Sequence, residues 1–168
     1  MNAKKLIIIV LVTTFFWGCS DDESCSTQVS QAALDAVDKA QLTIDNKIID
    51  DYLAANSITN AQDVNGIRVV INKEGSGLMP CLENTVTVYY KGTFLSNGNV
   101  FDSRQLTPID FRLGDLIVGW QLTFPTFTKG TKATIYIPSG YGYGPAGNPA
   151  GVPGNANLIF EIELAGVR

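Results

Sequence analysis

The chain has 168 residues, 45% of them hydrophobic and 17% charged, with 16 Gly, 7 Pro, 3 Cys and no His. That length and apolar share support one compact domain with appendages, and they exclude wholesale disorder, collagen-like repetition and a disulfide-dense miniature scaffold. Without imidazole the chain holds no Ser-His-Asp triad, Cys-His dyad, His-based zinc site or His-ligated haem, and 12 basic against 16 acidic residues, net -4, is the wrong balance for holding nucleic acid through its phosphates.

Taken in chain order, Lys4 and Lys5 precede an apolar run from Leu6 to Phe16 that is too short for a bilayer-spanning helix, which needs about 20 residues. It ends at Phe16-Trp17-Gly18-Cys19, which resembles a bacterial lipoprotein signal. The resemblance implies that residues 1-18 are a signal peptide and that Cys19 is lipidated as the mature N-terminus. Ser20-Asp21-Asp22-Glu23 is similar to the acidic signal that sends some Bacteroidota lipoproteins to the cell surface. Together these imply an outer membrane lipoprotein, on the periplasmic face or the cell surface. Removal of residues 1-18 takes away two Lys and no acid, leaving 10 basic and 16 acidic groups and a net charge of -6. Contact with the membrane is then lipidic, through the anchor, and not electrostatic.

Residues 19-30 are polar and read as a flexible tether, and 31-60 as a helical extension. From Gln31 to Ala55 no Gly or Pro intervenes, and Ile44/Ile48/Tyr52 and Ile49/Leu53 recur at helical spacing. This predicts one helix or two, clearest over Thr43-Ala55, ending before Asn56-Ser57 and packing on its own domain or on a second copy. Oligomeric state stays open. With Cys19 assigned to lipid, Cys25 and Cys81 are the remaining thiols. An exported protein meets oxidising conditions, but the sequence leaves open whether these two are bridged.

Beyond Asn60 the pattern changes to short β-branched runs. Ile67-Asn72, Thr85-Phe94, Lys132-Pro138 and Asn157-Leu164 alternate as strands with one buried face do. Ser96-Asn97-Gly98-Asn99 signals a hairpin, and Leu116-Phe124 a short helix that Pro125 stops. Residues 63-168 thus form a mainly antiparallel domain with one short helix, of α+β class. Gly140-Tyr141-Gly142-Tyr143-Gly144 lacks the following helix of a nucleotide fingerprint. Asp102, Asp110 and Asp115 lack the spacing of a calcium loop. No metal or cofactor is expected. Tyr90, Phe101, Phe111, Trp120, Tyr143 and Phe160 fall in separate strands and loops, where folding makes of them either core or a pocket wall.

The ordered stretches Val88-Tyr89-Tyr90-Lys91-Gly92, Gly98-Asn99-Val100-Phe101-Asp102-Ser103, Phe111-Arg112-Leu113-Gly114, Ile117-Val118-Gly119-Trp120 and Lys129-Gly130-Thr131-Lys132 closely resemble the FKBP-type peptidyl-prolyl cis-trans isomerase domain. So do Ile137-Pro138, Tyr143-Gly144, Gly151-Val152-Pro153 and Leu158-Ile159-Phe160-Glu161-Ile162-Glu163-Leu164, in the same register. The resemblance implies a twisted antiparallel sheet half-wrapped around a short helix, with the pocket between them. It assigns Tyr90, Asp102 and Tyr143 to catalysis. Phe101, Phe111, Leu116, Ile117, Trp120, Val152 and Phe160 become substrate-binding residues, with Trp120 as the floor. The Ile117 N-H and Tyr143 hydroxyl would hold substrate carbonyls, while Asp102 orients neighbouring polar groups or meets the carbonyl carbon. Ile109 stands where the family often has an aromatic, Gln121 replaces a frequent acid, and Asn148-Gly151 alters the loop over the site. The implied partners are X-Pro segments of exported proteins, whose folding the enzyme would assist, and macrolides such as tacrolimus or rapamycin. The implied chemistry is desolvation and twisting of the X-Pro amide. The alternative is a binding module that keeps the pocket without useful turnover.

Overall fold

The computed structural model describes residues 25–168. The signal, Cys19 and the acidic run after it lie outside the described residues. The extension forms two helices, α1 (Gln31–Asp35) and α2 (Lys39–Ala55). The break comes where Asp38 begins a second helix, its carboxylate accepting from the N-H of Ala40 at 2.8 Å and of Gln41 at 3.2 Å. α2 ends directly before Asn56 and Ser57, the latter at φ 56. Only part of the anticipated apolar stripe is buried. Ile49 and Leu53 are covered, whereas Ile44 and Ile48 are 54% and 45% exposed, because the buried face begins at Asp45.

Six strands follow: β1 (Gln62–Val64), β2 (Ile67–Lys73), β3 (Thr85–Phe94), β4 (Val100–Arg112), β5 (Lys132–Ile137) and β6 (Leu158–Val167). They form one antiparallel sheet in the order β1-β2-β5-β6-β3-β4. A single α-helix, α3 (Val118–Thr123), enters between β4 and β5 and is stopped at Phe124-Pro125. The period-2 alternation sends Val69, Ile135, Ile137, Leu158 and Phe160 to one face, where they meet Trp120 and Phe124. Val70, Tyr136 and Ile159 go to the other face, under Ile49 and Leu53 of α2. The extension thus packs on its own domain. Arg68 of β2 adds a polar tie, donating to Asp50 of α2 at 2.8 and 3.0 Å and pairing with Asp63.

The long strand β4 was not visible as alternation. It is an edge strand, mostly exposed, and its pairing jumps from Val88↔Ile109 to Tyr90↔Arg104. The bulge so formed carries Pro108 and sets Leu106 at 97% exposure. Proline and a bulge are compatible with a sheet edge, and both erase the period that identifies a strand. The hairpin before it turns at Gly98, φ 72, with the Gly98 N-H bonded to the Phe94 carbonyl at 2.8 Å.

The stretch read as a tether is fastened from Cys25 onward. Cys25 and Cys81 form a disulfide with their Cα atoms 5.3 Å apart, which answers the pairing the sequence left open. Beside it the Leu82 N-H donates to the Ser26 carbonyl at 2.8 Å, the Ser26 N-H donates to Glu83 at 3.0 Å, and Val29 is buried. The bridge spans 56 residues of sequence. On the chain-entropy account, its reduction should lower unfolding free energy by about 4 kcal/mol. Denaturant unfolding with and without reductant measures this, alongside a non-reducing peptide map that should show the two cysteines linked. Free thiols at both positions, or an unchanged midpoint on reduction, contradict it.

Candidate active site

Alternation along β3 places Val86, Val88, Tyr90 and Gly92 on the face toward α3. Trp120, held on that helix, is 3% exposed and meets three aromatic rings nearly edge-on. Its ring centre lies 5.6 Å from Tyr90, 5.2 Å from Phe160 and 6.4 Å from Phe111, at interplanar angles of 83 to 84°. Phe124 stacks behind it at 4.7 Å. Phe101 of β4 stands perpendicular to Phe160 at 5.5 Å and also lies against Phe94 at 5.1 Å. Perpendicular pairs set the positive ring edge on the negative ring face, which favours one arrangement over a fluid cluster. Val152 is buried in the same cluster, and Leu116, Ile117 and Tyr143 pack against it partly covered. All the aromatics that the sequence dispersed are thus brought into one cluster.

Sequence reasoning passed over two of the residues that shape this face. A Cβ on Gly92 would lie 2.6 Å from Phe101 and 2.9 Å from Phe160, so only glycine lets those rings close over β3. Gln121, singled out only as a replaced acid, donates its side-chain N-H to the carbonyls of Gly114 at 3.0 Å and Leu116 at 2.6 Å. That amide fixes the turn that delivers Ile117. The Ile117 carbonyl is taken by the N-H groups of Trp120 and Gln121, while its own N-H makes no hydrogen bond among the described residues.

The polar side of the pocket centres on Asp102, opposite Gly92 in the β3–β4 register. Tyr90 donates its hydroxyl to Asp102 Oδ2 at 2.6 Å, and Arg104 lies 3.9 Å from Oδ1. Burial raises the Tyr90 phenol well above its usual range, and the Asp102 hydrogen bond and charge push the same way. Burial also raises Tyr143, with the Asn148 side chain working against it and the Asp102 charge adding to it. Asn148 and Val152 exchange backbone hydrogen bonds of 2.7 and 3.0 Å, closing the loop over the site. Ile109 is half-buried against the core. The other carboxylates weighed earlier do not join the pocket in hydrogen bonding. Asp110 accepts from Thr87 at 2.6 Å and pairs with Arg168, contacts that hold its carboxyl below the usual range, and Asp115 lies 3.3 Å from Arg112. Among the described residues no group of three or more Cys, Asp or Glu is arranged to hold a metal.

A phenol whose ionisation is raised in the fold contributes stability in full below its ordinary value, about pH 10, and loses it as pH climbs through the raised value. Asp102→Asn removes the charge, one of the causes at Tyr90, and leaves burial, the largest, together with an oxygen that can still accept from the hydroxyl. Tyrosinate absorbance should then show Tyr90 ionising at lower pH than in the wild type, yet still above an exposed tyrosine. An unchanged titration curve would show that the Asp102 charge does not act on Tyr90.

Comparison with known proteins matches residues 79–165 to the family described as FKBP-type peptidyl-prolyl cis-trans isomerase. The chain is 39% identical over 103 residues to FK506-binding protein 1 of Dictyostelium discoideum, covering 59% of this chain and 95% of that one. To the FKBP-type peptidyl-prolyl cis-trans isomerase FkpA of Buchnera aphidicola it is 39% identical over 105 residues, 61% of this chain and 41% of that one. Among solved structures, a peptidyl-prolyl cis-trans isomerase from Pseudomonas syringae superposes with a TM-score of 0.67 at 28% identity, covering 77% of this chain and 94% of its own. FkpA from Escherichia coli gives 0.65 at 30% identity, covering 77% and 64%.

Proposed function

The chain belongs to the FKBP-type peptidyl-prolyl cis-trans isomerase family, and on that premise we propose that its pocket accelerates X-Pro rotation by desolvating and twisting the amide in exported polypeptides. The barrier to rotation, about 18 to 20 kcal/mol, comes from amide resonance. Trans is preferred by only about 0.5 to 1 kcal/mol at X-Pro, so the enzyme need not favour either isomer. The planar amide has more charge separation than the twisted one and loses more when water is withdrawn. The supporting observation is the aromatic cluster of Tyr90, Phe101, Phe111, Trp120 and Phe160, with the Tyr90–Asp102 hydrogen bond at its polar side. Each 1.36 kcal/mol of preference for the twisted form is about tenfold in rate.

The roles follow from which groups are free. Tyr90 spends its hydroxyl on Asp102, so it serves as wall and as the group that fixes the carboxylate. The Ile117 N-H donates to a substrate carbonyl, as does the Tyr143 hydroxyl. Asp102 presents a fixed negative edge to the amide. Leu116, Val152 and Phe101 line the sides where the proline ring and its neighbours rest. Macrolides that match this pocket compete with peptide.

Export is supported by the Cys25–Cys81 bridge, a bond that persists in oxidising compartments, together with the signal ending at Gly18-Cys19. In this reading a lipid on Cys19 holds the isomerase at the outer membrane of a Bacteroidota-type bacterium, on its periplasmic face or at the cell surface, where it assists exported clients.

Wild-type protein should accelerate cis-trans exchange in a short X-Pro peptide followed by protease coupling. Trp120→Ala should lower both turnover and stability, the latter by about 3 to 5 kcal/mol, and Asp102→Asn should lower turnover while the fold stands. Binding of X-Pro peptide without acceleration would overturn the mechanism in favour of a holding module. For the anchor, mass spectrometry of the mature protein should find diacylglycerol on an N-terminal Cys19, and an unmodified Cys19 refutes it.

A further inference from the structure

We propose that Asp45 of α2 is a positioning residue for the isomerase site, acting through Ser139 on Tyr143. This rests on the reading of Tyr143 as a substrate-holding group. Asp45 is 1% exposed, and its carboxylate faces no cation among the described residues. Oδ2 accepts from both the N-H and the hydroxyl of Ser139, at 2.9 and 2.6 Å, and Oδ1 accepts from Gln41 at 2.9 Å. Burying a carboxylate is costly even when it is well hydrogen-bonded, and Ile49 and Leu53 already supply the apolar docking of α2. A leucine at this position would serve packing alone. The bonds made by Ser139 show what the carboxylate adds.

Ser139 opens the single 3-10 turn Ser139–Tyr141 after β5, and its carbonyl accepts the N-H of Gly142 at 3.0 Å and of Gly144 at 2.8 Å. Those two residues flank Tyr143, so one peptide group holds both sides of the tyrosine. Glycines at 140, 142 and 144 leave this segment little conformational preference of its own, with Gly144 at φ 61. Its placement must come from outside, and Asp45 holds the residue at its root. A second contact runs the same way: Val37, between the helices, lies so close over Gly140 that an added Cβ would approach it to 2.7 Å. Gln41 and Val37 also share a cavity of about 250 Å³ with Gly144 and Pro145, where the extension and the site loop face each other. Asp45, Val37 and Gln41 all precede residues 79–165. The extension's half of the device therefore lies outside the stretch matched to the family, while Ser139 and Tyr143 lie within it, and the contact makes the extension part of the site's architecture.

The test is isomerase kinetics on the full chain, below the melting transition of every variant. Tyr143→Phe should lower kcat/KM about fivefold to tenfold, the loss of one hydrogen bond. Asp45→Leu should lower it by about threefold or more, in whichever of kcat or KM Tyr143→Phe changes. In the Tyr143→Phe background the same substitution should cost less than about twofold, because its effect passes through the missing hydroxyl. Asp45→Asn should retain most activity, since a turned Gln41 amide lets the asparagine oxygen face Ser139. If Asp45→Leu fails to fold, Ser139→Ala carries the same cycle; it removes only the hydroxyl, and the Ser139 N-H keeps Asn157 Oδ1 at 2.9 Å. Equal losses in both backgrounds, or full activity in a folded Asp45→Leu protein, overturn the proposal and leave the Tyr143 reading standing. No effect of Tyr143→Phe alone overturns that reading and the proposal with it.

Discussion

The structure depends on a mismatch of size: one helix of six residues must cover one face of a six-stranded sheet. Aliphatic side chains on so short a helix would leave that face wet. Trp120 resolves the mismatch by lying across it, edge-on to Tyr90, Phe111 and Phe160 and backed by Phe124. Gly119, next to it, brings the helix down onto Ile137, where a Cβ would approach to 2.7 Å. The same insufficiency that demands a tryptophan leaves the rings of Phe101 and Tyr143 only partly covered, and that partial cover is where the proposed substrate site lies. Stability and site are two consequences of one packing solution.

The opposite face is handled by separate means. α2 docks there through Ile49 and Leu53, Arg68 ties it to β2, and the disulfide fastens the chain that leads into it. These attachments join the extension to the sheet from behind, yet Asp45 reaches the loop that carries Tyr143 on the other side. The molecule therefore has a polar connection between its two faces where the chain leaves β5. The sheet domain and the pair of helices that precede it are, at that point, one piece of structure.

What was legible in the sequence follows the physics of each element. β3, β5 and β6 were readable because alternating burial on two covered faces is written as alternating residues. β4 was not, because an exposed edge with a proline bulge imposes no period. α2 was readable as a helix, but its inward face was misjudged, since a carboxylate at position 45 ordinarily marks the solvent side. The pocket aromatics were found individually, and their meeting depended on Gly92, whose lack of a side chain signals nothing until Phe101 and Phe160 are seen above it. Gln121 was visible only as a substitution, because hydrogen bonds to backbone carbonyls leave no pattern in sequence. Pairing of Cys25 with Cys81 turned on whether the tether reaches the start of β3, a distance that only the fold supplies.

The central claim is that the pocket acts by desolvation and fixed hydrogen bonds, with no proton transfer. The chain has no imidazole, and the two pocket phenols are held above their ordinary range, chiefly by burial. The most direct test is the pH profile of kcat/KM for X-Pro isomerisation. The account predicts a flat profile between about pH 5.5 and 9. A bell-shaped or sigmoidal profile through neutrality, with the protein folded throughout, would contradict it.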